Sequence, residues 1–216
     1  MIQAVIFDMD GLLVDSEPAW FAARRELLAR FGKRWSDADQ EHLMGVSTAT
    51  WVDYLTDKLE GTMPREEVLH TIVGMMVKAY HGGDVPLLPG ARDALDYCVS
   101  RYRVGLASGS PRQLIDAALA GAGWQHCFEE VISSDQCASG KPAPDIYIEI
   151  MRRMDLSPAT TVVVEDSVAG VLAGKDAGAK VVAVPGRYTP PEDEALIRAD
   201  ARLESLHALP TALSEM

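Results

Sequence analysis

The sequence predicts an α/β fold: a parallel sheet covered by helices on both faces, interrupted early by an all-helical insert. Three observations carry this. Short apolar runs rich in Val and Ile recur along the chain, and continuous β-branched runs without alternation suit strands buried on both faces. Amphipathic helical stretches separate the later runs, the strand–helix rhythm of a parallel sheet. One long segment after the first run contains no strand pattern at all.

AVIF (4–7) is the first predicted strand. From about Glu17 to Tyr80 the chain then reads as four helices: AWFAARRELLARFG, DADQEHLMG, TATWVDYLTDKLEG and PREEVLHTIVGMMVKAY. Their apolar residues recur at helical spacing, with Gly32, Gly45, Gly61 and Pro64 as breaks. HGGDVPLLPG (81–90) is rich in Gly and Pro and reads as the return linker. Beyond it, helices over 92–101, 111–122, 145–154 and 167–178 alternate with strands VGLA (104–107), EEVISS (129–134), TVVVE (161–165) and KVVAV (180–184). ADARLESL (199–206) supplies one last edge strand. The expected division is a core of residues 1–15 and 84–216 with a helical unit of residues 16–83 inserted into it.

Composition narrows the function. The 216 residues hold 20 Lys+Arg against 32 Asp+Glu, a formal net charge of −12. A nucleic-acid partner would need a basic face and an anionic membrane a basic patch, so neither is expected. A phosphorylated substrate needs a local cation, because the overall field repels it. The three cysteines, Cys98, Cys127 and Cys137, match no metal spacing and read as reduced thiols. MIQAVIFDM lacks the basic stretch and cleavage site of a signal peptide, and no apolar run reaches about 18 residues. A cytoplasmic monomer is expected.

In an open parallel sheet, sites form at the carboxyl ends of the strands. AVIF is followed by Asp8 and Asp10, VGLA by Ser108 and Gly109, and TVVVE ends on Glu165 with Asp166 next. The loop SGKPAPD brings Lys141 to the start of a helix. Carboxylates crowded together repel one another, and a hard divalent cation such as Mg²⁺ resolves this with oxygen ligands. Lys141, Ser108 and nearby backbone N–H groups could hold an anionic substrate. This set suits phosphoryl transfer, in which one carboxylate attacks phosphorus while cations and donors hold the equatorial oxygens. GVLAGKD (170–176) has the wrong spacing for a phosphate loop; Gly170, Gly174 and Gly178 more simply let one helix pack close on the sheet.

The four segments FDMDG, ASGS, GKPAPD and VVVEDS occur in this order and together resemble the four motifs of the haloacid dehalogenase superfamily of aspartate-nucleophile phosphotransferases. The resemblance spans nearly the whole chain. It implies a Rossmann-like core with an inserted four-helix cap, as in the β-phosphoglucomutase-like branch. Within that branch FDMDGLLVDSEPAW looks most like the 2-deoxyglucose-6-phosphate phosphatases. It implies Asp8 as nucleophile, Asp10 as general acid/base, and Ser108, Gly109 and Lys141 as phosphoryl-binding residues. It further implies Mg²⁺ held by Asp8, the Asp10 carbonyl and Asp166, with Glu165 as a ligand or behind the ligands. Asp8 must be ionised to attack and Asp10 must move protons; two apart on an extended chain, both side chains are expected on one side.

The expected function is a Mg²⁺-dependent phosphatase of small phosphorylated metabolites, sugar phosphates above all. A phosphomutase like β-phosphoglucomutase is the alternative; a catalytically idle binding module would not need every motif residue. A 2-haloacid dehalogenase usually lacks the second aspartate, here Asp10. Glu17, Trp20, Met44, Thr48 and Trp51 in the insert are the candidates for choosing the leaving group, although Trp20 and Trp51 also have the spacing of core residues. Mutases resembling this chain carry a histidine, a lysine and an arginine where Trp20, Met44 and Thr48 stand. The insert is therefore expected to lack a cation for a second phosphate.

Overall fold

The computed structural model of the chain describes residues 1–43, 46–186, 189 and 194–216. Six parallel strands form one sheet: β1 (Ala4–Phe7), β2 (Arg103–Ser108), β3 (Glu130–Ser133), β4 (Thr161–Glu165), β5 (Lys180–Ala183) and β6 (Ala201–Arg202), in spatial order β3-β2-β1-β4-β5-β6. The pleat sends alternate side chains to opposite faces. Val5, Phe7, Val104, Leu106, Val162 and Val164 belong to the core on one face, and Ile6, Ala107, Val163 and Val181 to the core on the other. Both faces are dry, which explains why the strands read as unbroken Val/Ile runs.

Four helices lie between β1 and β2 before the core helices begin: α1 (Glu17–Arg30), α2 (Asp37–His42), α3 (Thr48–Lys58) and α4 (Arg65–Gly82). The last extends two residues beyond the expected stretch. It ends at Gly83, whose φ of +79° and N–H bonds to Ala79 and Tyr80 carbonyls close the helix. The return linker is accordingly shorter than residues 81–90. Then come α5 (Ala91–Val99), α6 (Arg112–Ala122), α7 (Asp145–Arg153), α8 (Val168–Asp176), α9 (Glu194–Ile197) and α10 (Leu209–Glu215). The last two follow β5 and carry too few residues for a readable period. α7 and α8 cover one face of the sheet; α5, α6 and α10 cover the other. Among the described residues, no helix is long and apolar enough to cross a membrane. All three cysteines are free.

The chain leaves and re-enters the sheet region at one place. After β1 it curls through Leu13 and Val14, whose N–H groups bond the Met9 carbonyl. The outgoing segment then pairs with the returning one: Asp15 N–H donates to the Pro86 carbonyl at 2.9 Å and Leu88 N–H to the Leu13 carbonyl at 3.0 Å. This short antiparallel contact fixes where the four helices emerge, above the carboxyl end of β1.

Within the helical segment, Asp39 ties α2 to α3. Ser36 and Asp39 form a reciprocal capping box, Tyr54 donates to Asp39 at 2.6 Å, and Lys58 pairs with it. Burial alone would raise the pKa of Asp39, but the bonds from Lys58, Ser36 and Tyr54 outweigh that and hold it well below the usual carboxylate range. A carboxyl lowered in the folded state stabilises fully above its unfolded pKa of about 3.9 and less as pH falls through the folded value. Asp39→Ala, which strands these donors, is expected to cost about 2 kcal/mol at neutral pH. In thermal unfolding its Tm should fall by about 4–8 °C at pH 7, and the gap from the parent should shrink on acidification below about pH 4.

Candidate active site

β1 is flanked by β2 on one side and β4 on the other, so the crossovers diverge from it in opposite directions. Such a switch point opens a crevice at the carboxyl ends of the strands. A cavity of about 620 Å³ lies there, between the strand tips and the inserted helices. Asp8, Asp10, Gly109, Ser110, Lys141 and Asp166 line it from below; Glu17, Trp20, Arg24, Glu41 and Trp51 line it from the insert.

The pleat decides which tip residues meet. Asp8 continues the parity of Ile6, and Glu165 that of Val163, so both project toward α7 and α8. Lys141 lies between them: its Nζ donates to Asp8 Oδ1 at 2.5 Å, to Glu165 Oε1 at 2.6 Å and to the Ala107 carbonyl at 3.2 Å. The Lys141 side chain is only 5% exposed, and a buried ammonium with three acceptors is fully paired. Tyr147 on α7 donates to Glu165 Oε1 at 2.6 Å. The other oxygen, Oε2, accepts from the Asp166 and Ser167 N–H groups and from Ser167 Oγ. Both Glu165 oxygens are thus taken, and its side chain is wholly buried. Glu165 orients Lys141 from behind.

Two glycines make room for these acids. Gly11 has φ +79°, and a Cβ there would fall 2.3 Å from Asp166 Oδ2. At Gly170 in the first turn of α8, a Cβ would lie within about 2 Å of the Glu165 carboxylate. The expected close packing of α8 on the sheet holds at Gly174, where a Cβ would meet Val181 at 2.8 Å. Gly170 instead clears a carboxylate, and Gly178, at φ +81°, lies just beyond the helix.

Asp10 is held separately. Oδ1 accepts from Ser16 at 2.6 Å and from Tyr80 at 3.3 Å; Oδ2 accepts from Ser110 at 2.8 Å and from Ser108 at 3.1 Å. Asp8 and Asp10 therefore face different partners, because the chain curls out of the strand between them. Ser108 is fully buried, its Oγ accepting from Ser110 N–H as it donates to Asp10. It lies beneath the cavity lining, whereas Gly109 and Ser110 belong to it.

The acids leave an unmet charge. Asp8, Glu165 and Asp166 each place an oxygen within 4.8 Å of the others. Burial pushes Asp8 up to about 8 despite Lys141, with Glu165 and Asp10 adding to the rise. Asp166 is raised well above the usual range by burial and by Asp8 and Glu165. For Lys141, burial works against the charged form, but Asp8 and Glu165 outweigh it and hold its pKa high. Among the described residues no donor reaches the Asp166 carboxylate. Asp8 and Asp166 are hard oxygen donors in a dry site short of positive charge, which fits a small divalent cation.

The insert contributes a feature that the sequence reading missed. It was expected to offer no cation, yet Arg24 of α1 lines the cavity and is 4% exposed. Burial pulls its pKa down to about 10, with Glu17 and Asp10 pulling the other way. Glu17, Trp20 and Arg24 stand at i, i+3 and i+7, one face of a helix, and that spacing could have found it. Trp20 and Trp51 both line the cavity and belong to the core, their rings 5.6 Å apart at 62°. Thr48 is buried outside the lining, and Met44 lies outside the described residues. Tyr80 and Tyr147, which orient the acids, carry no motif signal; Ser16 lies within FDMDGLLVDSEPAW and Ser110 follows Ser108 at i+2.

The glycine geometry is testable. Gly170→Ala is expected to cost at least about 3 kcal/mol in urea unfolding, because the methyl group can enter only by displacing a buried, fully bonded carboxylate. Gly74→Ala, in α4 with nothing within 4 Å of the added methyl, should be neutral or stabilise by about 0.5–1 kcal/mol.

Comparison with known proteins agrees with this geometry. A family model described as haloacid dehalogenase-like hydrolase matches residues 2–178. Hexitol phosphatase B of Escherichia coli K12 is 32% identical over 214 residues, covering 96% of this chain and 94% of its own. The crystal structure of CbbY from Rhodobacter sphaeroides in complex with phosphate is similar at a TM-score of 0.87 and 26% identity, over 97% of this chain and 96% of that one. The crystal structure of β-phosphoglucomutase from Clostridium difficile matches at a TM-score of 0.83 and 25% identity, over 100% and 96%. The chain belongs to the haloacid dehalogenase-like hydrolase family, in its β-phosphoglucomutase-like branch.

Proposed function

We propose that the chain is a Mg²⁺-dependent phosphatase of small phosphorylated metabolites, sugar or polyol phosphates, with residues 16–83 acting as the cap over a core of 1–15 and 84–216. The observation that carries this reading is the pairing at one cavity of two aspartates with different surroundings. Asp8 is fixed by an ammonium at 2.5 Å, and Asp10 is oriented by four hydroxyls. The first arrangement suits a nucleophile and the second a proton carrier. The similarity to a hexitol phosphatase supports the substrate class.

Asp8, Asp166 and the Asp10 main-chain carbonyl would hold Mg²⁺, with Glu165 behind them. When bound, the ion supplies positive charge that keeps Asp8 ionised and offsets charge on the phosphoryl oxygens. In the first step an Asp8 carboxylate oxygen attacks phosphorus. The ester P–O bond breaks, and Asp10 gives its proton to the leaving alkoxide. In the second step Asp10 takes a proton from water as the water oxygen attacks the phosphorus of the acyl phosphate. The Asp8–phosphorus bond breaks, releasing phosphate and restoring both acids. Lys141, Gly109 and Ser110 line the place where the phosphoryl oxygens would lie.

A mutase reading gains from Arg24, a cation in the insert, and from the similarity to a β-phosphoglucomutase structure. Against it stands the immediate neighbourhood of Arg24. Glu17 lines the cavity with Arg24, and Glu17 and Asp10 are the charges that act on it, offsetting the positive charge that a second phosphate needs.

Three outcomes are expected. Asp8→Asn should lower phosphate release at least about 10³-fold, and rapid-quench mass spectrometry of the parent enzyme should find one phosphoryl group on the peptide containing Asp8. A near-native rate in Asp8→Asn would end the nucleophile assignment. Mg²⁺ should raise the Tm of the parent, by the equivalent of about 2.7 kcal/mol at a concentration of 100 Kd, and Asp166→Ala should abolish most of that rise; an equal rise in both would remove Asp166 from the metal site. With β-glucose 1-phosphate and a trace of the bisphosphate, free phosphate should accumulate faster than glucose 6-phosphate. The reverse order would favour the mutase.

A further inference from the structure

On the insert side of the cavity, α1 and α2 build a polar cluster that the chemistry of phosphoryl transfer does not use. The Arg24 guanidinium lies 4.7 Å from the centre of the Trp20 ring and 5.7 Å from that of Trp35. Its Nη1 donates to Gln40 Oε1 at 3.0 Å, and Trp35 Nε1 donates to the same oxygen at 3.1 Å. Gln40 in turn donates through Nε2 to Glu17 Oε2 at 2.5 Å. Gln40 therefore bridges a cation and a carboxylate and is itself satisfied. The donors on Arg24 are not: Nε is buried without a partner, and among the described residues no acceptor meets Nη2. A guanidinium carries five N–H donors, and leaving them unmet in a buried position is costly.

The charge around the cluster decides what would meet them. A second phosphate or a carboxylate on the substrate would approach Arg24 with Glu17 beside it and with the charge of Asp10 also acting there. One positive charge against two negative ones does not attract an anion. A hydroxyl group fits both members of the pair, accepting from Arg24 and donating to Glu17. Trp20 adds an aromatic wall against which the C–H edges of a carbon chain can lie.

The geometry points to Glu17 and Arg24, held in register by Gln40, as a donor–acceptor pair that selects phosphomonoesters bearing a polyhydroxylated, uncharged carbon chain. This rests on the phosphatase reading and assigns the residues that choose among its substrates. Discrimination of this kind can be large, because a site built to bond hydroxyls rejects analogues that leave its buried polar groups unpaired.

The test compares kcat/KM of the Mg²⁺-loaded enzyme for three substrates: glucitol 6-phosphate, phenyl phosphate, which has no hydroxyl groups, and fructose 1,6-bisphosphate, which adds a distal anion. The parent is expected to prefer glucitol 6-phosphate to phenyl phosphate by at least about 100-fold. Arg24→Met should lower that ratio about 30-fold and Arg24→Lys about 10-fold. Glu17→Gln should lower it about 10-fold and raise the ratio of bisphosphate to glucitol phosphate several-fold, since it removes the repelling charge. An unchanged ratio in Arg24→Met would overturn the proposal and leave Arg24 a packing residue. So would a parent that prefers the bisphosphate and loses that preference in Arg24→Met, which would make this a distal phosphate site. If circular dichroism shows Arg24→Met to be unfolded, the isosteric Glu17→Gln decides: ratios equal to the parent's overturn the pair. Parent enzyme that turns over phenyl phosphate without favouring glucitol 6-phosphate refutes the pair but keeps the phosphatase reading. Parent enzyme that hydrolyses none of the three refutes both.

Discussion

Lys141 is a buried ammonium between two buried carboxylates, and much of the molecule is arranged so that it can stay there. Taking such a group out of water costs several kcal/mol per ion unless every proton finds an acceptor. Asp8, Glu165 and the Ala107 carbonyl supply those acceptors from three adjacent strands. The parallel register puts these three residues at one level on one face. Glu165 must then be satisfied in its turn, and Tyr147 and the start of α8 do this. That requirement explains why the first turn of α8 carries Gly170, whose missing side chain leaves space for the carboxylate. Replacing such a network with apolar residues would often be neutral or stabilising. Its presence is therefore better explained by the charge it presents to the cavity than by any contribution to folding.

Asp10 performs a different structural task. Its four hydroxyl partners come from both sides of the cavity. Ser16 is the residue before α1, Tyr80 lies in the last turn of α4, and Ser108 and Ser110 lie at the tip of β2. The two segments that carry the chain into and out of the insert are thus tied to one carboxylate, close to where their backbones pair. The orientation of this acid depends on the position of the insert relative to the strand tips. A shift of the inserted helices by even an ångström would break the 2.6 Å bond from Ser16 and change where Asp10 points. Coupling of this kind would let the enclosure of a substrate and the alignment of its proton carrier occur together.

The legible parts of the chain were those in which one physical requirement dominates a short segment. A strand buried on both faces must be apolar throughout, so AVIF and TVVVE could be read directly. Acids at the ends of such strands have no packing reason to be there, which marked Asp8, Glu165 and Asp166. The residues that went unread answer to partners distant in sequence. Tyr147 looks like any core aromatic of an amphipathic helix until Glu165 is placed beneath it. Tyr80 bonds Asp10 across 70 positions. Ser108 is expected from the tip of its strand to bind the phosphoryl group; what the sequence does not reveal is that its hydroxyl also donates to Asp10 and that the turn after it brings Ser110 to the cavity surface. Arg24 went unread for another reason. The positions at which related mutases carry cations fall at Trp20, Met44 and Thr48, while the helical face through Glu17 and Trp20 runs on to Arg24.

The cavity divides its charge by depth. At the strand tips, Asp8, Glu165 and Asp166 gather around one ammonium, and the surplus is negative and buried. Such a place binds a phosphoryl group only when further positive charge is present. At the insert, Arg24 is balanced by Glu17, and aromatic rings fill the surroundings. The core end fixes a reaction that any phosphomonoester could undergo, and its geometry follows from the register of a sheet that tolerates little change. The insert end is carried on one helical face, in which Glu17, Trp20 and Arg24 can be exchanged without disturbing a strand. If the proposed roles hold, changing that face would alter which leaving group is accepted while Asp8, its ammonium and Glu165 behind it keep their places. On the proposed reading, a four-helix insertion after the first strand would separate the residues that choose a substrate from those that react with it, within one cavity.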